Sequence, residues 1–133
     1  MIPAHHNYQV RLRRFLLARG VEANMEKNFV DVDFKLEGEH YIGEIKVTTY
    51  LTPQQAFRAA VGQVVEYAYL SFERIPHMII FLDHSPEERR LALAEKLDIA
   101  VIVERGRKFS LLCPTSACAL SKLFGAKTRG PAI

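Results

Sequence analysis

The sequence has only two cysteines and no long apolar run, and both absences narrow the class of protein. Its apolar stretches are a few residues long and are broken by charges, so no segment is expected to span a membrane. The first residues lack the basic and apolar regions of an export signal. Two cysteines without such a signal indicate a reducing compartment, so we expect a cytoplasmic protein.

The chain also lacks several features that mark a specific chemistry. It has no internal repeat, no low-complexity tract and no glycine-rich phosphate-binding loop, so no nucleotide cofactor is expected. Cys113 and Cys118 do not have the CxxC spacing of a zinc site. Hydrophobic residues make up 49% of the 133 residues and charged residues 25%, the balance of an ordinary folded domain. We therefore expect a single domain over residues 1–133, with a core at about 7–104 and a basic tail at about 125–133.

Charge is divided unevenly along the chain. Residues 1–20 carry four arginines and residues 105–133 carry six basic residues, with no acid in either segment. All 15 acids therefore lie in residues 21–104, among eight basic residues. An acidic centre between basic ends suits a metal site flanked by a phosphate-binding surface, although clustered surface charge would give the same pattern.

The first half of the chain shows both helical and strand periodicity. Residues 7–19 have apolar residues at helical spacing and arginines elsewhere. Phe29–Leu36 alternates strictly between apolar and polar residues, which is typical of a strand. A turn within residues 37–39 joins this strand to a second one at His40–Thr48, and the two form a hairpin.

The rest of the chain alternates helices and strands, which predicts an α/β fold with a mixed sheet. Thr52 and Pro53 begin a helix with a capping box, and this helix is expected to run to about Phe72. The other predicted elements are a short first strand at Val21–Met25, a central strand at His77–Leu82, a helix from Pro86 to about Leu97 capped by Ser85, strands at Ile99–Val103 and Phe109–Leu112, and a short helix at 116–124.

The hairpin brings acidic residues to one face of the sheet. A short loop centred within residues 37–39 places Asp33 opposite Glu44, and Asp31 opposite Lys46. Because the residues on each strand lie two apart, all four side chains share one face. Crowded carboxylates raise one another's pKa unless a positive charge lies between them. Carboxylates with water are ligands that suit Mg²⁺ or Mn²⁺, and a lysine on the same face can position a metal-bound water.

These residues carry a resemblance to a known family. Asp31 followed by Glu44-Ile45-Lys46 resembles the Asp and (D/E)xK motifs of the PD-(D/E)xK nuclease superfamily, with the aspartate-to-glutamate spacing of archaeal Holliday-junction resolvases. Gln63 and Tyr67, on the next helix, are similar to the QxxxY motif of the recombination-nuclease branch and of restriction-type domains. The resemblance covers about residues 7–83.

The resemblance implies a restriction-endonuclease-like core in the order αβββαβ, with a mixed central sheet flanked by helices, plus a C-terminal helix and strands. It implies a divalent-metal-dependent DNA endonuclease that hydrolyses phosphodiester bonds, of a structure-specific, repair or restriction type. Asp31 and Glu44 would hold Mg²⁺ or Mn²⁺, with Asp33 and the Ile45 carbonyl as further candidate ligands. Lys46 would orient the attacking water.

Other residues are expected to position or bind DNA. Gln63 would steady Lys46 or the DNA backbone and Tyr67 would touch phosphate, whereas on its own this helix face is a half-exposed polar stripe. Arg58 is a further candidate for a phosphate contact, against a plain surface role. Three basic residues of the first helix complete the expected DNA-binding set: Arg11, Arg13 and Arg14.

One feature of the family is missing from the first helix. Many members carry a carboxylate there, whereas this chain has Gln9 at about that place. Glu22 or Glu26 could compensate for the missing carboxylate. The alternative function is a non-catalytic DNA-binding subunit that keeps the nuclease fold within a larger DNA-processing complex. An RNA-cleaving member of the same superfamily is a second alternative.

The histidines and the C-terminal apolar residues are interpreted separately. His5 and His6 are expected to be disordered terminal residues, and His40 to face solvent beside the turn. Cutting both strands of DNA needs two metal centres, which a two-fold homodimer supplies. The helix 86–97 and the segment 109–124 offer apolar surface for such a dimer, unless these residues only cap the monomer's own sheet.

Overall fold

The structure is a computed structural model that describes residues 4–25, 30–113 and 119–126. It has three layers, with helices on both faces of a mixed β-sheet. In chain order the elements are α1 (Ala4–Ala18), β1 (Asn24–Met25), β2 (Val32–Leu36), β3 (Glu39–Lys46), α2 (Pro53–Leu70), β4 (His77–Leu82), α3 (Glu88–Lys96), β5 (Ile99–Arg105), β6 (Lys108–Cys113), α4 (Ala119–Leu123) and β7 (Gly125–Ala126).

Among the described residues, seven strands lie side by side in the order in which they occur along the chain. β1, β2 and β3 are antiparallel neighbours, whereas β3, β4 and β5 are parallel. β5 and β6 are antiparallel, and β6 and β7 are parallel. Parallel neighbours require a crossover, and α2 and α3 make those of β3–β4 and β4–β5, while α4 lies between β6 and β7 in the chain. The predicted α/β class, the mixed sheet and the order of the elements are therefore confirmed.

Each face of the sheet has its own apolar core. α1 and α4 cover one face, where Tyr8, Leu12 and Leu16 are fully buried and the Tyr8 hydroxyl donates a 3.0 Å hydrogen bond to the Leu82 carbonyl. α2 and α3 cover the other face, on which Ile42 is buried. Since strand residues two apart share a face, Glu44 also belongs to the α2 face. Glu44, which is discussed below, thus lies on the sheet face that α2 covers.

The start of α2 follows the sequence prediction. The Thr52 Oγ1 accepts the Gln55 backbone N–H at 3.1 Å, and the Gln55 side chain accepts the Thr52 N–H at 2.9 Å. Pro53 occupies the first turn, where its missing N–H costs no helical hydrogen bond. This capping box fixes where the chain turns from β3 into the helix.

The predicted cap of α3 is wrong. The helix begins at Glu88 after Glu87, whose side chain makes no capping hydrogen bond. Ser85 instead accepts a hydrogen bond from the Arg105 guanidinium, so its hydroxyl is committed to the end of β5. None of the helices described is long and apolar enough to cross a membrane.

The C-terminal apolar residues are used within the chain. Leu111, Leu112, Leu120 and Phe124 are all buried in the two cores. This supports the reading in which they cap the monomer's own sheet, and the homodimer stays a prediction. The first two residues of the expected loose tail form β7, which pairs with β6. Residues 127–133, Cys118 and Glu26 lie outside the described residues.

Gly43 in β3 lies beneath the ring of Phe81 on β4. A Cβ at this position would lie 2.4 Å from Phe81 Cε2. Because the ring is fully buried in a close-packed core, it cannot move aside without displacing its neighbours. We expect Gly43→Ala to lower the free energy of unfolding by about 1–3 kcal/mol in urea denaturation.

Gly62 provides a control for this substitution. It is exposed on α2, and nothing lies within 4 Å of the position of its Cβ. Gly62→Ala should therefore keep or raise stability, since alanine favours a helix over glycine by about 1 kcal/mol. A Gly43→Ala protein as stable as the wild type would contradict the close approach of Phe81.

Candidate active site

Asp31 and Glu44 lie opposite each other at one edge of the hairpin. The β2–β3 ladder ends with the pair Val32 and Gly43, and Asp31 and Glu44 are the next residues of the two segments. Their side chains share a hydrogen bond. Glu44 is only 3% exposed, so the two carboxyl groups are crowded together in a poorly solvated place.

The predicted hairpin register is wrong by two residues. Asp33 lies opposite Ile42, not Glu44, because the turn consists of Glu37 and Gly38 alone. Both turn residues have positive φ, 51° and 78°, the backbone geometry that suits the twist of a two-residue hairpin. A slip of two residues leaves every side chain on its predicted face.

The first helix fixes Asp31 from one side and β3 fixes it from the other. Asp31 Oδ2 accepts the backbone N–H of Ile45 at 2.9 Å and lies 3.1 Å from His5 Nε2. The Gln9 side-chain amide donates to the Asp31 carbonyl at 3.1 Å. His5 and Gln9 lie four residues apart, so they occupy the same face of α1.

Burial and charge separate the two carboxyl groups. Desolvation by burial, then the charge and hydrogen bond of Asp31, raise the pKa of Glu44 to about 8, although Lys46 acts to lower it. Burial also acts to raise the pKa of Asp31, but the contacts with His5 and the Ile45 N–H outweigh it and hold that pKa below its usual value. At neutral pH the pair therefore carries one proton, on Glu44, and one negative charge, on Asp31.

The donor set of this pair fits a hard divalent cation. Glu44 Oε1 is buried and has no hydrogen-bond partner among the described residues. An unpartnered buried oxygen is costly, and a cation bound between two carboxylates would remove that cost. Within residues 4–25, 30–113 and 119–126, no group of three or more His, Cys, Asp or Glu side chains is arranged to hold a metal ion. A metal here would need backbone or water ligands as well, and the role of the Ile45 carbonyl stays a prediction.

Lys46 completes the motif on the same strand. It is the last residue of β3, two residues beyond Glu44 and on the same face. Its charge acts to lower the pKa of Glu44, so it lies within electrostatic reach of the pair. The lysine as a whole is half-buried.

Asp33 is held by a different partner. Its Oδ1 lies 2.8 Å from His40 Nε2, and the His40 ring meets the Phe72 ring edge to face at 5.2 Å. His40 is therefore engaged by two neighbours and does not simply face solvent. The structure brings Asp33 to His40, whereas it brings Asp31 to Glu44.

The DNA-binding candidates are spread over two helices. Gln63 and Tyr67 are half-buried on α2, and Arg58 is exposed there; the roles of all three stay predictions. Arg11 is occupied by a two-point contact with Glu104, at 2.6 and 2.7 Å.

The other two basic residues of α1, Arg13 and Arg14, are exposed. Arg13 follows Gln9 by about one helical turn, which is about 6 Å along the helix axis. It therefore lies on the same stripe of α1 as the residues that touch Asp31. It is thus the best placed of the three candidate arginines of α1.

No protein-family model matches the chain, and comparison with curated proteins gives no match. What the chain does must therefore follow from the chemistry of its own residues.

His5 is the site residue that the sequence interpretation missed. It was expected to be a disordered terminal residue, but it lies in the first turn of α1 and contacts Asp31. The available signal was its spacing from Gln9, which continues the buried stripe of Leu12 and Leu16 toward the N-terminus. Glu22, a suggested substitute carboxylate, is exposed.

The raised pKa of Glu44 predicts a pH-dependent stability. The folded chain keeps a proton that the unfolded chain loses between about pH 4.5 and 8, so stability falls as pH rises through this window. The slope from one such group is at most about 1.4 kcal/mol per pH unit. Glu44→Gln should flatten this dependence and raise the free energy of unfolding at pH 8 relative to the wild type, measured by urea denaturation at pH 5, 6.5 and 8.

Glu66 is the matched control, because it is an exposed glutamate on α2. Glu66→Gln should keep the wild-type pH profile. If Glu44→Gln follows the wild-type profile as well, Glu44 does not hold the extra proton.

Proposed function

We propose that this chain is a divalent-metal-dependent deoxyribonuclease of PD-(D/E)xK type, which hydrolyses phosphodiester bonds of DNA. The observation that carries the proposal is the close pair of half-buried Asp31 and buried Glu44, with Lys46 two residues beyond Glu44 on the same strand face. A crowded acidic pair with an unpartnered buried oxygen is unfavourable for folding and needs a functional reason.

Asp31 and Glu44 would hold Mg²⁺ or Mn²⁺, with the Ile45 carbonyl as a further ligand. The bound cation would polarise the scissile phosphate and stabilise the leaving oxygen. Glu44 must lose its proton to act as a ligand, so metal binding would compete with that proton. Asp31 is already ionised and is held in place by the Ile45 N–H and by Gln9.

Lys46 acts on the water. Its amine orients the attacking water toward phosphorus and stabilises the charge that develops on the phosphate. The water oxygen forms a bond to phosphorus and releases a proton to solvent as the bond to the leaving oxygen breaks, and the leaving oxygen takes up a proton from solvent. Gln63 and Tyr67, on the helix that covers this face, and Arg13, on the α1 stripe, would contact the DNA backbone.

The test is cleavage of defined DNA by the purified chain. Supercoiled plasmid and duplex, single-stranded, flapped and four-way oligonucleotides are incubated with Mg²⁺, Mn²⁺ or EDTA. Cleavage is expected with either metal and not with EDTA, and the thermal midpoint should rise on addition of metal more at pH 8.5 than at pH 6. Neither cleavage nor a metal-dependent shift with any of these substrates and metals would rule the proposal out.

A non-catalytic DNA-binding subunit is the second candidate. The observation that favours it is Gln9, an amide at the place where many family members carry a carboxylate, whose side chain is spent on the Asp31 carbonyl. DNA binding without cleavage, unchanged by Lys46→Ala, would decide for this alternative.

A further inference from the structure

Tyr50 is the most exposed large apolar side chain among the described residues. Its side chain is 90% exposed, in the loop between the end of β3 and the start of α2. An aromatic ring so exposed buries almost no surface, so it contributes little to the stability of the fold. The ring is presented to solvent and is available to contact a molecule outside the fold.

The loop that carries Tyr50 is fixed at both ends. Before it, the Thr48 N–H and hydroxyl donate to the Asp83 carboxylate at 3.0 to 3.2 Å. After it, Thr52 and Gln55 form the capping box of α2. Because both ends of this short loop are already fixed, binding of a ligand to the ring would cost little further conformational entropy of the loop.

Tyr50 also lies next to the candidate active site. It follows Lys46 by four residues, a chain distance of at most about 14 Å. Beside the loop, at the carboxyl ends of the parallel strands β3 and β4, is a cleft of about 430 Å³. Its polar lining comes from both sides of the strand edge: Thr52, Gln54, His84, Ser85, Glu87 and Arg90. Within it, Arg90 Nη1 lies 3.0 Å from Glu87 Oε1. Both lining segments follow the carboxyl ends of parallel strands, so the cleft opens at the same edge of the sheet as Lys46.

We propose that Tyr50 stacks on an unpaired base of the DNA substrate and that the adjacent cleft receives this nucleotide. The inference rests on the proposed nuclease function and specifies its substrate: DNA with unpaired nucleotides beside the cut. In a continuous duplex both faces of each base are covered by neighbouring bases, so an exposed ring finds no free face. In single-stranded DNA, base faces are free, and every base offers one to an aromatic side chain.

Binding measured without metal tests the stacking contact independently of catalysis. Anisotropy of labelled single-stranded and duplex oligonucleotides in EDTA is compared for Tyr50→Ala, Tyr50→Leu and Tyr50→Phe. We expect Tyr50→Ala and Tyr50→Leu to weaken single-strand binding about tenfold or more and duplex binding less than about twofold. Tyr50→Phe keeps the ring and should bind as the wild type does.

Tyr69 is the matched control. It is 58% exposed and lies near the C-terminal end of α2. It is thus a surface tyrosine like Tyr50, but it lies at the opposite end of α2 from the loop that follows Lys46. Tyr69→Ala should leave both affinities unchanged. Thermal midpoints of all variants should equal that of the wild type, because neither ring is buried.

The outcomes separate this inference from the nuclease proposal. Equal losses on single-stranded and duplex DNA, or no loss with Tyr50→Ala, would overturn the inference, while metal-dependent cleavage by the wild type would still support a nuclease. Selective loss of single-strand binding without cleavage by the wild type would support the inference and count against the nuclease. A wild-type chain that binds no DNA would overturn both.

Discussion

Lys46→Ala is expected to reduce metal-dependent DNA cleavage by at least about 100-fold while the chain stays folded, because one positioned electrostatic group is typically worth that much. Glu44→Ala should be equally inactive, since it removes one of the two carboxylates proposed to hold the metal. Its thermal stability should be unchanged or raised, because it removes a buried carboxyl whose Oε1 has no partner. Initial rates on the best oligonucleotide substrate and thermal melts measure both effects.

Lys35 provides the control for the loss of a lysine. It is an exposed residue near the hairpin end of β2. By alternation it shares the face of Asp31, but about 13 Å of strand separates the two residues.

 Lys35→Ala should therefore cleave DNA at the wild-type rate. If Lys46→Ala and Glu44→Ala also cleave normally, the site is wrongly assigned.

Asp31→Asn is expected to reduce cleavage at least about 100-fold, whereas Asp33→Asn should cost less than about tenfold. Asp31 lies opposite Glu44 and shares a hydrogen bond with it, whereas Asp33 is paired with His40. An asparagine at 31 can still accept the Ile45 N–H through its oxygen, so the local structure should survive while the negative charge is lost. The two single variants are compared by initial cleavage rates, with circular dichroism and thermal melts to check the fold.

His40→Gln helps to interpret the result for Asp33. It removes the partner of Asp33 but leaves Asp31 and Glu44 untouched, so a structural effect of Asp33→Asn should be reproduced by His40→Gln. Equal large losses for the two aspartate variants would make both of them ligands. A large loss with Asp33→Asn alone would move the metal site away from Asp31.

Alternation and capping made most of the fold predictable, because these signals are local. The strict alternation of residues 29–36 placed Asp31 and Glu44 on one face, and Thr52 with Pro53 placed the start of α2. The register was not predictable in the same way, since the two-residue turn at 37–38 and one shifted by a residue have similar sequence signals. Only the positive φ of both Glu37 and Gly38 decides between them.

The contacts that complete the site were beyond the reach of local patterns. His5 meets Asp31 across 26 positions of the chain, and Gln9 meets it across 22. Such pairs depend on how α1 packs across the sheet, which periodicity does not specify. The exposure of His40 was mispredicted for a related reason. A position beside a turn suggests contact with solvent, but β2 brings Asp33 to the His40 ring and the segment after α2 brings Phe72.

The packing of α1 has a consequence for the order in which the molecule can be completed during synthesis. The helix is made early, yet Tyr8 bonds to a carbonyl 74 residues later and Arg11 to a carboxylate 93 residues later. Phe15 stacks on Phe124, in the last stretch that the structure describes. The hairpin that carries Asp31 and Glu44 can form locally, but α1 acquires its full set of partners only after β5, β6 and Phe124 have been made. In a nascent or C-terminally shortened chain, His5 and Gln9 would therefore hold Asp31 less firmly. The candidate site would reach its final geometry only when the last strands have formed.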